Sequence, residues 1–393
     1  MKHVIPGFKA SAVASGIKKG SGLDLALIFS EKPAVAAGGF TSNKVKAAPV
    51  ILSLENISDG SARAIIANSG NANACTGKQG LRDAQVTAEL VAKETGIRPS
   101  EVLVASTGVI GAPVDMDRVA KAVPGLVKAL SPKGIPRVAE AIMTTDSFPK
   151  IAEFEGMAGD KPFHILGIAK GAGMIMPQMA TMLCFVLSDI QIGIDELRKA
   201  TSASIDASFN RISVDGDTST NDTVLVMANG MAGNGPLGVN GYSKFQGGLS
   251  AVMCELATMI VRDGEGATKL VEVVIKGAGS NAEAESAART VANSTLVKTA
   301  FYGQDPNWGR IMAALGRSGI KMKEEDVDIW VNDVMIVEGG RGKGLSAEKE
   351  AAKRMSGEEF SVVVDLNQGQ SEFRILTCDL THEYVTINAE YRT

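Results

Sequence analysis

The chain has 393 residues, 45% of them hydrophobic and 21% charged, the length and balance of a globular protein with one large or two moderate cores. Its net charge of -4 gives no basic footprint for nucleic acid, and the scattered Cys75, Cys184, Cys254 and Cys378 fit neither a disulfide framework nor a zinc site. Residues 1–8 carry no signal-peptide core and no apolar run approaches a membrane span, so a cytoplasmic protein off the membrane is expected.

Many glycines (43) and few aromatics (5%) point to a loop-rich α/β or α+β protein. Apolar runs between turn signals predict strands at 23–29, 34–40 and 61–67. The loop Asn68-Ser-Gly-Asn-Ala-Asn-Ala-Cys-Thr-Gly77 is crowded with amides, and reads either as a long turn or as donors beside a site. A helix follows near 79–94, then a strand from Glu101 into the turn at Gly111. There Thr107 and Gly108 offer a hydroxyl and a backbone N–H side by side, the donor pair an oxyanion hole needs. Helices are predicted at 119–130 and about 139–146, and a strand at 163–169 delivers Lys170 to the next segment.

That segment is Lys170-Gly-Ala-Gly-Met-Ile-Met-Pro-Gln-Met-Ala-Thr-Met-Leu-Cys-Phe-Val-Leu-Ser-Asp189. Its unbroken apolar run from Met182 to Leu187 reads as a buried strand. Thr181 then stands where an irregular, glycine-bearing loop feeds the core. A threonine at a strand start is commonplace, but a hydroxyl held there also suits a nucleophile. Without a Ser–His–carboxylate grouping, its base could be its own α-amine, once the peptide bond from Ala180 is cut. In that scheme the Thr181 hydroxyl attacks the Ala180 carbonyl and water cleaves the resulting ester. An α-amine titrates at about 7.7–8.0, close to the working range of a general base.

Downstream, a helix is predicted at 194–207. The carboxylate-rich run from Ser208 to Asp222 is not a calcium loop, because Thr220 occupies the glycine position and no glutamate closes it. It is expected to form a hydrogen-bonded loop near the site. A strand at 223–228 and a helix at 242–260 come next. Glu265, between two glycines, precedes a strand at 270–276. The Gly-Ala-Gly-Ser-Asn stretch at 277–281 marks the expected boundary between a domain of 1–278 and a smaller one of 279–393. Helices at 282–294 and 311–315 and strands at 327–331, 360–365, 374–380 and near 386 complete the pattern. Neither glycine cluster (171–173, 340–344) has dinucleotide or P-loop spacing.

The run Lys-Gly-x-Gly-Met-Ile-x-Pro-x-Met-Ala-Thr-Met-Leu resembles the self-cleaving site of the ornithine acetyltransferase (glutamate N-acetyltransferase) family. Further likeness lies in the 68–77 loop, Ser106-Thr-Gly-Val-Ile-Gly111, Met143-Thr-Thr-Asp146, Asp263-Gly-Glu-Gly266, Gln304-Asp-Pro-Asn-Trp-Gly-Arg310 and Asn388-Ala-Glu-Tyr-Arg-Thr393, so it covers essentially the whole chain. The resemblance implies a layered α/β sandwich, like N-terminal-nucleophile hydrolases but differently connected. It implies Thr181 as nucleophile, freed by cleavage at Ala180-Thr181 into chains 1–180 and 181–393. Thr107 and Gly108 would be the oxyanion donors, and Thr144, Lys170, Glu265, Asn388 and Thr393 would contact substrate. The implied reaction moves the acetyl group of N-acetylornithine to glutamate without metal or bound cofactor, with acetyl-CoA a conceivable co-substrate. The paired fragments would assemble as an α2β2 heterotetramer. Two alternatives stay open: a self-cleaving amidohydrolase or aminopeptidase that hands the acyl group to water, and a non-catalytic protein in which Thr181 only packs.

Overall fold

The structure, a computed structural model, describes residues 2–176 and 182–390, and they form two compact units. Up to α6 the elements are β1 (Phe8–Val13), β2 (Leu25–Phe40), α1 (Ala48–Asn56), β3 (Ser61–Asn68), α2 (Gly77–Thr95), β4 (Val102–Ser106), α3 (Met116–Lys128), α4 (Ile135–Ala141), β5 (Lys150–Ala158), β6 (Lys161–Lys170), β7 (Leu183–Ser188), α5 (Ile194–Ala207), β8 (Ile212–Ser213), β9 (Thr223–Ala228) and α6 (Val239–Arg262). All of these except β8 build the first unit, with α6 crossing its end.

The first sheet runs β4-β3-β2-β9-β7-β6-β5, with β1 beside β2. The long β2 serves two partners. Its first part pairs with β3, and its second part, from Val35 to Phe40, pairs with β9. The β2–β3 register breaks between Phe29 and Ala34, and there the sheet folds over on itself. Leu103 and Ala105 of β4 consequently share one core with Leu166 and Ile168 of β6, Leu183 and Phe185 of β7, and Leu225 of β9.

Strand alternation sends the intervening side chains outward. Val102 and Val104 pack with Ala84, Ala88 and Val91 of α2 and Val119 and Val123 of α3. On the far side, α6 comes so close to β6 that a Cβ at Gly167 would lie 2.7 Å from Val252 and 2.8 Å from Leu256. The unit is therefore layered helix, strand, strand, helix. The α/β sandwich expected from the sequence is borne out.

The second unit takes residues 211–216, with β8, and the chain from Val261 onward. It adds β10 (Leu270–Ala278), α7 (Asn281–Ala292), α8 (Thr295–Tyr302), α9 (Trp308–Gly316), β11 (Asp328–Val331), β12 (Val334–Glu338), β13 (Arg341–Gly342), α10 (Leu345–Met355), β14 (Glu359–Asp365), β15 (Ser371–Cys378) and α11 (His382–Glu390). Its sheet runs β13-β12-β11-β14-β10-β15-β8. Val271, Val273 and Ile275 of β10 face Ala284, Ala287 and Val291 of α7 in its core.

The expected division at 278/279 falls instead at 260/261. The reason is β10, which pairs parallel with β14 and antiparallel with β15 in the middle of the second sheet. A cut after Ala278 would remove its central strand. The strand expected near 386 is also replaced, by helix α11.

Candidate active site

Thr107 and Gly108 follow the last residue of β4. Thr107 is buried at 4% exposure, its N–H donating to Asn68 O at 2.9 Å. Its hydroxyl and the Gly108 N–H make no hydrogen bond among the described residues. Gly108 has φ +126°, and a Cβ there would lie 2.6 Å from the Gly70 carbonyl carbon and 2.7 Å from Asn71 N. Only glycine fits such a position. The turn is thus pressed against the 68–77 loop with two donors left for another acceptor.

The amides of that loop do not form the wall of donors one sequence reading suggested. Asn68 Nδ2 donates to Ser106 Oγ at 2.7 Å while its Oδ1 accepts from Asn71 N at 3.0 Å. Asn71 Oδ1 accepts from Asn73 N at 2.7 Å. They hold the backbone of the loop in shape, and the long-turn reading prevails for them.

Asn221, just ahead of β9, ties this turn to the opposite layer. Its Nδ2 donates to Ser106 O at 2.8 Å and Ala72 O at 2.6 Å. Next to it, Asp222 Oδ1 accepts from Met182 N at 3.1 Å. The fold along β2 therefore brings the exit of β4 to the entrances of β7 and β9. The expectation of a hydrogen-bonded 208–222 loop near the site is met by these last two residues.

Lys170, 2% exposed, ends β6 directly opposite Leu183 of β7. Its ammonium lies 3.9 Å from Asp146 Oδ2. Asp146 also accepts from Lys150 Nζ at 2.7 Å, Gly171 N at 2.6 Å and Thr144 N at 2.9 Å. Burial opposes its ionisation, but the charges of Lys170 and Lys150 and these bonds outweigh it and hold its pKa at about 2. Asp222 goes the other way. Burial pushes its carboxyl well above the usual carboxylate range, against hydrogen bonds from Met182 N–H and Thr41 and the charge of Lys170. Two buried ammonium groups, those of Lys150 and Lys170, thus face one ionised carboxylate.

Of the residues singled out in the sequence, Thr107, Gly108, Thr144 and Lys170 belong to the first unit, and Glu265 and Asn388 to the second. Glu265 Oε2 accepts from Asn388 Nδ2 at 2.7 Å, so the loop before β10 meets α11. A Cβ at Gly266 (φ +67°) would come within 2.6 Å of Tyr384 N, which is why this loop needs its second glycine. Ala180, Thr181 and Thr393 lie outside the described residues. Asp146, Lys150 and Asp222 went unnamed as site residues in the sequence. A signal for Asp222 was present: a carboxylate abutting a strand, Thr223–Ala228, that is apolar on both faces.

Among the described residues no three His, Cys, Asp or Glu side chains are grouped to hold a metal ion, and no helix is long and apolar enough to cross a membrane. The ArgJ family model matches residues 9–393. The arginine biosynthesis bifunctional protein ArgJ of Geobacter sulfurreducens is 51% identical over 391 residues, spanning 99% of this chain and all of that one. A crystal structure of the same-named protein from Bacillus halodurans is 42% identical over 52% of this chain and 96% of its own, at a TM-score of 0.49. The Mycobacterium tuberculosis ornithine acetyltransferase, crystallised with ornithine, is 38% identical over 45% of this chain and 96% of its own, at a TM-score of 0.40. With a likeness that runs from β1 to the last residue and takes in every motif around the Thr107 turn and Lys170, the chain belongs to the ArgJ family.

Proposed function

We propose that this chain is an acetyltransferase of arginine biosynthesis that moves the acetyl group of N-acetylornithine to glutamate through an acetyl ester on Thr181. The observation that carries this reading is the full-length likeness to the bifunctional Geobacter protein. The chain first cuts itself between Ala180 and Thr181, and the α-amine set free serves the Thr181 hydroxyl as general base. The Thr107 hydroxyl and Gly108 N–H, which have no other acceptor among the described residues, stabilise the oxyanion of the tetrahedral intermediate.

The Lys170 ammonium suits the α-carboxylate that donor and acceptor have in common. Thr144, whose N–H is fixed on Asp146, lines the same side. Glu265, braced by Asn388, takes the ornithine ammonium, and Thr393 completes the contacts. Acetyl-CoA serves as a second acyl donor to the same threonine, with no metal or resident cofactor. The cleaved pair assembles as α2β2.

The test begins with mass spectrometry of freshly purified protein, which should show fragments 1–180 and 181–393 without added protease. Thr181→Ala should remain a single inactive chain. Acetyl transfer from N-acetylornithine to glutamate, measured beside bare deacetylation, then separates transfer from hydrolysis. Deacetylation unaffected by glutamate would overturn the transferase reading, and a parallel assay with acetyl-CoA checks the second donor.

A further inference from the structure

The loop between β1 and β2 carries Ser15-Gly-Ile-Lys-Lys-Gly-Ser-Gly22, a glycine- and lysine-rich run with no part in the chemistry proposed above. Its shape is fixed from below. The buried carboxylate of Asp24 accepts from Ser15 N at 2.5 Å and from Lys18 N at 2.9 Å. A Cβ at Gly70 would lie 2.5 Å from Lys18 N, so the run is pressed onto the same 68–77 loop that Gly108 touches.

Together with Asn71, Pro113 and the first turn of α3, this run lines an open cleft of about 400 Å3. Lys18, Lys19 and Arg118 line it, with Asp115 as its one carboxylate. Arg118 pairs with Asp115 at 2.9 Å and also donates to the Gly16 carbonyl. Lys18 Nζ donates to Met143 O at 3.0 Å. The exposed Lys19 ammonium and the N–H groups of Lys19 and Gly20 have no partner among the described residues. Gly20 has φ +109°, and a Cβ there would meet nothing within 4 Å. A ligand oxygen can therefore come right up to the backbone. One carboxylate against three cations, with bare N–H groups between them, suits a multiply charged phosphorylated ligand better than a single carboxylate.

The cleft adjoins the Thr107 turn through Asn71. That residue bridges to Val109, and its Nδ2 donates to Ala112 O and Pro113 O, each at 3.1 Å. From Thr107 to Pro113 the chain can span at most about 20 Å, a gap for a long flexible arm. Resting on the second-donor reading above, we propose that this cleft holds the phosphate groups of acetyl-CoA while the pantetheine arm carries the thioester to the Thr107 turn. No bond forms or breaks in the cleft. N-acetylornithine has no phosphate and gains nothing from it, so the two donors depend on it differently.

The experiment compares initial rates of glutamate acetylation from acetyl-CoA, from acetylpantetheine and from N-acetylornithine, for wild type, Lys19→Ala and Lys19→Glu. The proposal requires Lys19→Glu to raise KM for acetyl-CoA by about 10-fold or more relative to KM for N-acetylornithine, with Lys19→Ala shifting that ratio the same way by less. It also requires that the ratio for acetylpantetheine, which lacks the phosphates, stay at its wild-type value. An unshifted acetyl-CoA ratio overturns the assignment, as does an equal shift with acetylpantetheine. Calorimetry of the wild type with CoA then separates the sources of phosphate. Displacement of CoA by an equal concentration of inorganic phosphate would make the cleft a general phosphate site and overturn its assignment to CoA. If wild type transfers nothing from acetyl-CoA, the second-donor reading fails and takes the assignment with it. If wild type does use acetyl-CoA and the ratio is unmoved, the assignment falls alone.

Discussion

Asp146 and Asp222 are both buried carboxyl groups, and their surroundings drive them to opposite charge states. Asp146 titrates near 2 in the fold against an ordinary 3.8. A depressed pKa in the folded state gives stability that is present above the ordinary value. It is lost as pH falls from about 4 to about 2, a displacement worth about 2 kcal/mol. Acid unfolding of the wild type should steepen in that window. Asp146→Asn leaves Lys150 and Lys170 buried without their carboxylate, and should lower stability at neutral pH by about 3–5 kcal/mol, measured by denaturant unfolding. For Asp222 the sign reverses: the fold keeps a proton that the unfolded chain releases. Its stability contribution therefore falls as pH rises above 3.8, and Asp222→Asn should flatten that slope. At the turn after β4, Thr107→Ala removes the hydroxyl proposed as an oxyanion donor, which would act only in the transition state. Its kcat should drop by about 100- to 1,000-fold with a far smaller change in KM. Unchanged turnover would remove Thr107 from the site.

The elements show what the sequence could and could not say about this fold. β7 and β9 were legible because both of their faces are buried, so every residue is apolar or small. β2 was read as two strands because Ser30-Glu-Lys-Pro33 looks like a turn, yet it is one strand of 16 residues. The proline falls within the break in β2–β3 register, where a missing N–H costs least. β1, β5, β12, α1, α8 and α10 were not predicted from the sequence. α11 was mistaken for a strand on the strength of Val385, Thr386 and Ile387. Their β preference is a matter of packing in a sheet, and Val385 is 65% exposed here. Thr107, Lys170 and Glu265 were proposed through motif likeness, whereas Asp146 and Asp222 stand out only through burial and partners. Two variants test the elements. Asn221→Ala frees the Ser106 and Ala72 carbonyls inside the fold and should cost about 1–3 kcal/mol, with a loss of turnover because the Thr107 turn is no longer tied to β9. Glu265→Gln keeps an acceptor for Asn388 but loses its charge. It should raise KM for N-acetylornithine by about 10- to 100-fold, the worth of a charged hydrogen bond, with little effect on KM for glutamate.

At the scale of the whole molecule, the proposed single nucleophile serving two amino acids in turn demands an exchange mechanism. Initial rates should give parallel double-reciprocal lines, and withholding glutamate should leave an acetyl group on the fragment beginning at Thr181. Intersecting lines without that mass increase would mean direct transfer. The strand order β4-β3-β2-β9-β7-β6-β5 has a consequence for the severed protein. With the proposed cut at Ala180–Thr181, β9 and β7 would belong to the second fragment, and they lie between β2 and β6 of the first. One chain is inlaid in the sheet of the other, flanked on both sides. Dilution cannot part such a pair as it parts two docked subunits, since neither has a finished surface to retreat to. The two fragments of the proposed cut should share one unfolding transition, and a mixture of two differently labelled preparations should not trade partners until denaturant opens the sheet.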